Sequence, residues 1–171
     1  MNRSSTRALL VGAVAALGLG LTLSACSVVD KAHAAAVVDG RVIEESAVDA
    51  SVAQLRSVEV TVGPGVVLGM LILAKPVADQ VSASGSWKPD AAYNAFLARI
   101  PDPTPATVEV VRTNSALSAL TADDQKAVLA ALRSMTVTVN PRYGSFNAST
   151  GQIAPLLPAW IRKPATPVPG S

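Results

Sequence analysis

Residues 35–43 place two short apolar runs, Ala-Ala-Val-Val and Arg-Val-Ile, on either side of Asp39-Gly40. Both central positions of a type I′ turn need a positive φ, which Asp and Gly tolerate, so this spacing predicts a β-hairpin. Val48, Val52, Leu55 and Val58 then fall on one helical face and predict a helix over 46–57, with Ser46 and Asp49 as its capping box. A second helix is predicted over 86–100. Pro89 and Asp90 suit its first turn, Tyr93, Phe96, Leu97 and Ile100 form its face, and Pro101 ends it. After the loop marked by Pro101, Pro103 and Pro105, Val108, Val110 and Val111 favour strand locally. Val110, Leu117 and Leu120 keep helical spacing, and helix is the reading adopted. Thr121 caps a clearer helix with Val128, Leu129, Leu132 and Met135 inward. Thr136 to Asn140 alternates strictly and reads as a strand that stops at Pro141. Residues 142–146 then turn away, and 147–152 read as a polar loop. The pattern predicts a mostly α fold with a small β-sheet, a helical domain closed by a short antiparallel sheet. The late strand pairs with 35–38 or 41–43.

The middle of the chain is less ordinary. Residues 65–74 read Gly-Val-Val-Leu-Gly-Met-Leu-Ile-Leu-Ala, apolar on every face. Ten residues are too short to cross a bilayer as a helix. One reading is a buried central helix that continues through Val81 with a bend at Pro76. The other leaves one side open as an apolar surface for clients or partners. Val66, Val67, Leu68, Met70, Leu71 and Leu73 are its candidate contact residues. Met70 and the Leu side chains, which carry no branch at Cβ, suit such a surface because they repack around different shapes.

The first residues have a separate logic. Arg3 and Arg7 lie in a short basic stretch, and 8–23 is a nearly unbroken apolar run closed by Leu23-Ser24-Ala25-Cys26. The run suits the apolar core of an export signal, and the small Ser24 and Ala25 let an extended chain enter a peptidase site. A cysteine directly after them resembles the lipobox of bacterial lipoproteins. That resemblance implies a diacylglycerol on the Cys26 thiol, with further acylation such as palmitate at the new amino terminus. Two or more acyl chains, at about 0.8 kcal/mol per buried CH2, anchor stably where one does not. The expected partner of Cys26 is therefore the lipid bilayer, at the extracytoplasmic face of a bacterial membrane. The expected division is signal 1–25, tether 26–34, helical domain 35–161 and a Pro-rich disordered tail 162–171. Trp160 and Ile161 are expected to pack on the body.

Composition narrows the chemistry. The formal charge of +2 comes from the signal, since losing Arg3 and Arg7 leaves twelve basic residues against twelve acidic ones. That balance offers no footprint for nucleic acid. The single cysteine excludes an intramolecular disulfide, and the single histidine, His33, falls in the tether. No histidine is left inside the domain to activate a serine, no cofactor or metal is expected, and the chain reads as a non-enzyme. Glu44-Glu45 and Asp123-Asp124 are neighbours about 100° apart on a helix, so they suit solvated helix starts better than a shared acid–base site. Arg142-Tyr143 offers a cation and a phenol, either to a ligand or to the sheet edge.

One family resemblance joins these readings. Val37-Val38-Asp39-Gly40-Arg41-Val42-Ile43, followed by an acidic helix start, resembles the opening of SurA-type chaperones and their PrsA-like relatives, where Asn usually stands at the place of Asp39. Asn140-Pro141-Arg142-Tyr143-Gly144-Ser145-Phe146 is similar to a segment of actinobacterial SurA N-terminal-domain lipoproteins. The resemblance covers about residues 34–161. It implies a helical domain closed by a small sheet that holds exported unfolded polypeptides. Many members add a parvulin-type isomerase domain, for which the chain has no room. The function this implies is a membrane-anchored, non-catalytic chaperone. The alternatives are a scaffold for one cell-envelope partner or a divergent peptidyl-prolyl isomerase.

Overall fold

A computed structural model describes residues 33–155. The expected signal, Cys26, Trp160, Ile161 and the Pro-rich tail lie outside the described residues, as does most of the expected tether.

Ala34–Val38 (β1) and Arg41–Glu44 (β2) form the expected hairpin, with φ of 47° at Asp39 and 83° at Gly40. Val137–Val139 (β3) pairs antiparallel with β1 on its other side, giving the order β2-β1-β3. The register sets Val38 opposite Val137 and Ala36 opposite Val139. One side-chain bond and one backbone bond fix the ends of this pairing. The Asp39 carboxylate accepts from Thr136 N–H at 2.7 Å, and Asn140 N–H donates to the Ala35 carbonyl at 2.8 Å. Small side chains at Ala34, Ala35 and Ala36 let the central strand lie buried beneath the helices.

Five helices follow: Glu45–Ser57 (α1), Pro64–Ser84 (α2), Ala91–Leu97 (α3), Pro105–Ala119 (α4) and Ala122–Ser134 (α5). The central one is α2, which packs most extensively on α4 and also meets α1, α5 and β1. Pro64 starts it, where a missing N–H costs nothing, and Gly85 ends it with φ of 66°. Pro76 sits inside it and leaves the Ile72 carbonyl without its helical donor. One residue earlier, the Leu71 carbonyl accepts from the Arg41 guanidinium at 2.6 Å. By length and composition alone this 21-residue helix could cross a membrane. Its Leu68, Leu71, Ile72 and Val77 side chains are instead sealed against the other elements. Each such side chain contributes about 1.5–3 kcal/mol through burial.

Polar contacts set how the helices meet. Thr107 Oγ1 donates to Ser51 Oγ at 3.1 Å, and Ser51 Oγ donates to the Ala47 carbonyl at 2.8 Å, so a buried hydroxyl relay joins α4 to α1. The Gln54 amide donates to the Asp102 carbonyl and accepts from Thr104 N–H, pinning the Pro-rich loop to α1. Thr121 and Asp124 form a capping box at α5.

Three details differ from the sequence pattern. The Ser46–Asp49 capping box does not form: β2 runs directly into α1, Glu44 is the N-cap and no side chain bonds there. The helix predicted over 86–100 contracts to α3. Asp90 is its N-cap and accepts from Tyr93 N–H at 2.7 Å, and the residue before Pro89 is disfavoured in helix. Ile100 remains buried beyond the helix end. Residues 142–152 hold a second hairpin where a turn and loop were expected. Ser145–Asn147 (β4) pairs with Gln152–Ala154 (β5), and only 148–151 is a turn.

Candidate functional site

The second hairpin lies along the N-terminal half of α2. A Cβ on Gly69 would sit 3.9 Å from the Gly151 carbonyl oxygen, and one on Gly65 would sit 3.8 Å from Ile153 Cγ2. β5 therefore runs antiparallel to the helix. Its approach depends on Gly144, whose φ of 118° and ψ of −156° belong to glycine alone. A Cβ there would lie 2.1 Å from the Ala154 carbonyl oxygen. The turn closes through Asn147, whose side chain accepts from Ser149 N–H and whose carbonyl accepts from Gly151 N–H.

Between this hairpin, α2 and α5 lies an apolar groove of about 520 Å³. Val66, Met70 and Leu73 form its floor, Leu129 and Val128 one wall, and Gly151 to Ile153 the other. A second groove of about 360 Å³ lies on the far side of Val66 and Met70, bounded by Val60, Val62, Phe96 and Val110. Val66 and Met70 line both, so they form a ridge between two troughs. Among the described residues, not one charged side chain lines either trough. Val66, at 55% exposure, is the exposed large apolar residue among the described residues.

The six sequence candidates divide by helical angle. Val66, Met70 and Leu73 lie on the open face at spacings of four and three. Val67, Leu68 and Leu71, at 1%, 0% and 2% exposure, face the opposite way into the core, so they are corrected from contact residues to packing residues. Val67 still touches the floor of the second trough. Sequence reasoning missed the hairpin wall and the α5 wall. Two signals pointed to the hairpin: Gly144 and Gly151 flank a run that alternates through Phe146, and Ile153 is the first large apolar residue after the polar stretch 147–152.

The charged candidates are engaged elsewhere. Arg142 donates to Glu45 at 2.8 Å and lies 5.1 Å from the Tyr143 ring centre, so cation and phenol face the protein rather than a ligand. The Tyr143 hydroxyl is buried without a hydrogen-bond partner among the described residues, and desolvation holds the phenol above its ordinary range. Asp123 pairs with Lys126 at 2.9 Å. Asp124 accepts from Gln80 at 2.7 Å and from the Thr121 hydroxyl at 2.8 Å. These bonds, Gln80's first, lower its pKa.

Comparison with protein-family models, with curated proteins and with solved structures finds no match to this chain.

Proposed function

We propose that this chain is a lipoprotein held to the extracytoplasmic membrane face through Cys26, and that its domain is a non-catalytic, SurA-like holder of apolar segments in exported unfolded polypeptides. The observation that carries the holding role is the uncharged pair of troughs on either side of Val66 and Met70. A surface without charge selects neutral apolar side chains and sets no sequence requirement on them. The flexible thioether at its centre adapts to their shape. The basic stretch, apolar run and small residues before Cys26 support the tether.

The energetics favour brief contacts. Burying two or three client side chains contributes about 1.5–3 kcal/mol each. Association costs about 4 kcal/mol or more, so at most about 5 kcal/mol remains and affinities are no tighter than about the sub-millimolar range. Weak binding suits a holder that must release its client, and tethering raises the local concentration that weak binding needs.

The test uses the chain from Ser27 onward with a denatured client, read by light scattering. Wild type slows aggregation, and Val66→Asp with Met70→Lys abolishes the effect while leaving the thermal midpoint nearly unchanged. Failure to suppress aggregation or to bind unfolded peptides removes the holding role. Selective capture of one folded envelope protein, with indifference to unfolded chains, replaces it with a scaffold. Labelling with a palmitate analogue in the producing cell, lost in Cys26→Ser, tests the anchor separately.

A further inference from the structure

We infer that residues 156–161 of this chain are the resting occupant of the Val66–Met70 surface, so that a client must displace the protein's own segment. The docking itself stands on geometry, and only its consequence for clients rests on the proposed function.

The first observation is where the chain leaves the fold. β5 runs from Gly151 beside Gly69 to Ile153 beside Gly65, so the chain leaves the fold heading toward the N-terminal end of α2, where Ile153 and Val66 line one groove. The second is the make-up of residues 156–161. Leu156, Leu157, Trp160 and Ile161 supply large apolar side chains within six positions, and none of the six is charged. Arg162 and Lys163 then end the apolar stretch. An uncharged stretch thus emerges beside an uncharged surface, and charge returns only after it.

Reach agrees. Six extended residues span about 20 Å. From Gly65 to Leu73 the helix advances eight residues, about 12 Å. Pro155 and Pro158 bias the segment toward extended backbone and take donors out of it, so it needs no strand partner and loses less freedom on docking. Short linkage gives an effective concentration in about the millimolar range. An intrinsic affinity too weak to detect between separate molecules therefore still fills the surface. A dilute client competes against that concentration, so the segment sets a threshold for client affinity.

Trp160 reports the docking directly, because Trp87 is the only other tryptophan. The chain from Ser27 carrying Trp87→Phe keeps an aromatic ring against Tyr93, and its emission then comes from Trp160 alone. Docking predicts blue-shifted emission and acrylamide quenching several-fold below that of a free peptide of residues 150–171. Adding Val66→Asp and Met70→Lys restores the peptide's values. If Trp87→Phe fails to fold, the difference spectrum between wild type and Trp160→Phe gives the same readout. Trp160 protection relieved by the ridge substitutions supports the inference whether or not clients bind. Peptide-like emission in the folded chain, or protection that survives both ridge substitutions, overturns it and leaves client holding standing. A third readout tests the threshold: Leu157→Asp with Trp160→Asp raises the affinity for an apolar client peptide about tenfold, and an unchanged affinity sinks the gating role.

Discussion

Replacing Gly144 with alanine should detach one wall of the groove without unfolding the core. The backbone at Gly144 has φ of 118° and ψ of −156°, a region that costs a residue with a Cβ about 1–3 kcal/mol. The added carbon would also lie 2.1 Å from the Ala154 carbonyl oxygen and 3.1 Å from Ile153 Cγ2. Ordinary carbon–oxygen contacts lie near 3.3–3.6 Å, so β5 must retreat by about 1 Å or lose its pairing. The clash is with backbone, which no rotamer change relieves. Opposing this is only a three-pair ladder with Phe146 and Ile153 half-buried beneath it. Opening the hairpin also returns about 1–2 kcal/mol of backbone entropy per freed residue. Local opening is therefore cheaper than strain, and the predicted loss of hairpin stability is about 2–3 kcal/mol. Hydrogen exchange reads this by region. Amides of β4 and β5 should lose protection about 30–100-fold, while those of Leu68, Leu71 and Ile72 keep theirs. Binding of an apolar dye to the groove should fall in parallel. Unchanged exchange across β4 and β5 in Gly144→Ala would refute the reasoning.

Three other substitutions test the remaining contacts. Asp124→Asn should flatten the acid limb of stability. The native bonds lower this carboxyl's pKa, so its contribution is full above the ordinary range and is lost as pH falls through the lowered native value. Urea midpoints for variant and wild type should converge as pH falls below the ordinary carboxylate range, and parallel curves would exclude the role. Tyr143→Phe removes a buried hydroxyl without a partner and should raise stability by about 1 kcal/mol. It should also remove a loss of stability at high pH. The raised phenol pKa means stability holds below about pH 10 and declines as pH rises toward the native value. Ser51→Ala and Thr107→Val should each cost about 1–2 kcal/mol, and the double variant less than their sum, since the lone partner's penalty disappears. Additive losses by chemical denaturation would show that the relay does not couple α1 to α4.

The elements legible in the sequence were those whose signals are local. Thr121 caps α5 as expected, though Asp124 is buried in its capping box rather than solvated, and Asp39-Gly40 makes its turn because both residues tolerate positive φ. That β3 would pair with the first hairpin was legible by elimination, since few other backbones were free, but which of its two strands it joins was not. The second hairpin was not. Its strands are three residues each, Pro141 precedes them, and Gly144 reads as an ordinary turn until the approach of Ala154 is known. Ser46–Asp49 misled in the opposite way: a local capping pattern was pre-empted because β2 pairing already fixes the entry to α1. The site was half legible. An apolar segment without alternation announces burial, but it cannot say which third of its circumference stays open.

What decides the open face is the arrangement of the neighbours, and α2 shows this within one helix. Its two charged residues, Lys75 and Asp79, pair at 2.6 Å and are well exposed. Lys75 lies nine residues after Val66, which at 100° per residue places it about 180° around the axis. Extending the polar stripe of the C-terminal half backwards would therefore bury Val66 and expose Leu68, the reverse of what is found. The helix meets water on opposite sides at its two ends. One end presents an ion pair and the other a ridge of Val66 and Met70 between two troughs. A helix evolved only as core has no use for an apolar ridge at the end where its polar residues do not reach. Substituting Val66 and Met70 together with serine separates the two accounts. A packing role predicts a measurable loss of stability and no change in apolar binding. A contact role predicts a thermal midpoint within about 2 °C of wild type and a client affinity reduced about tenfold, since only half-exposed surface is removed from the fold.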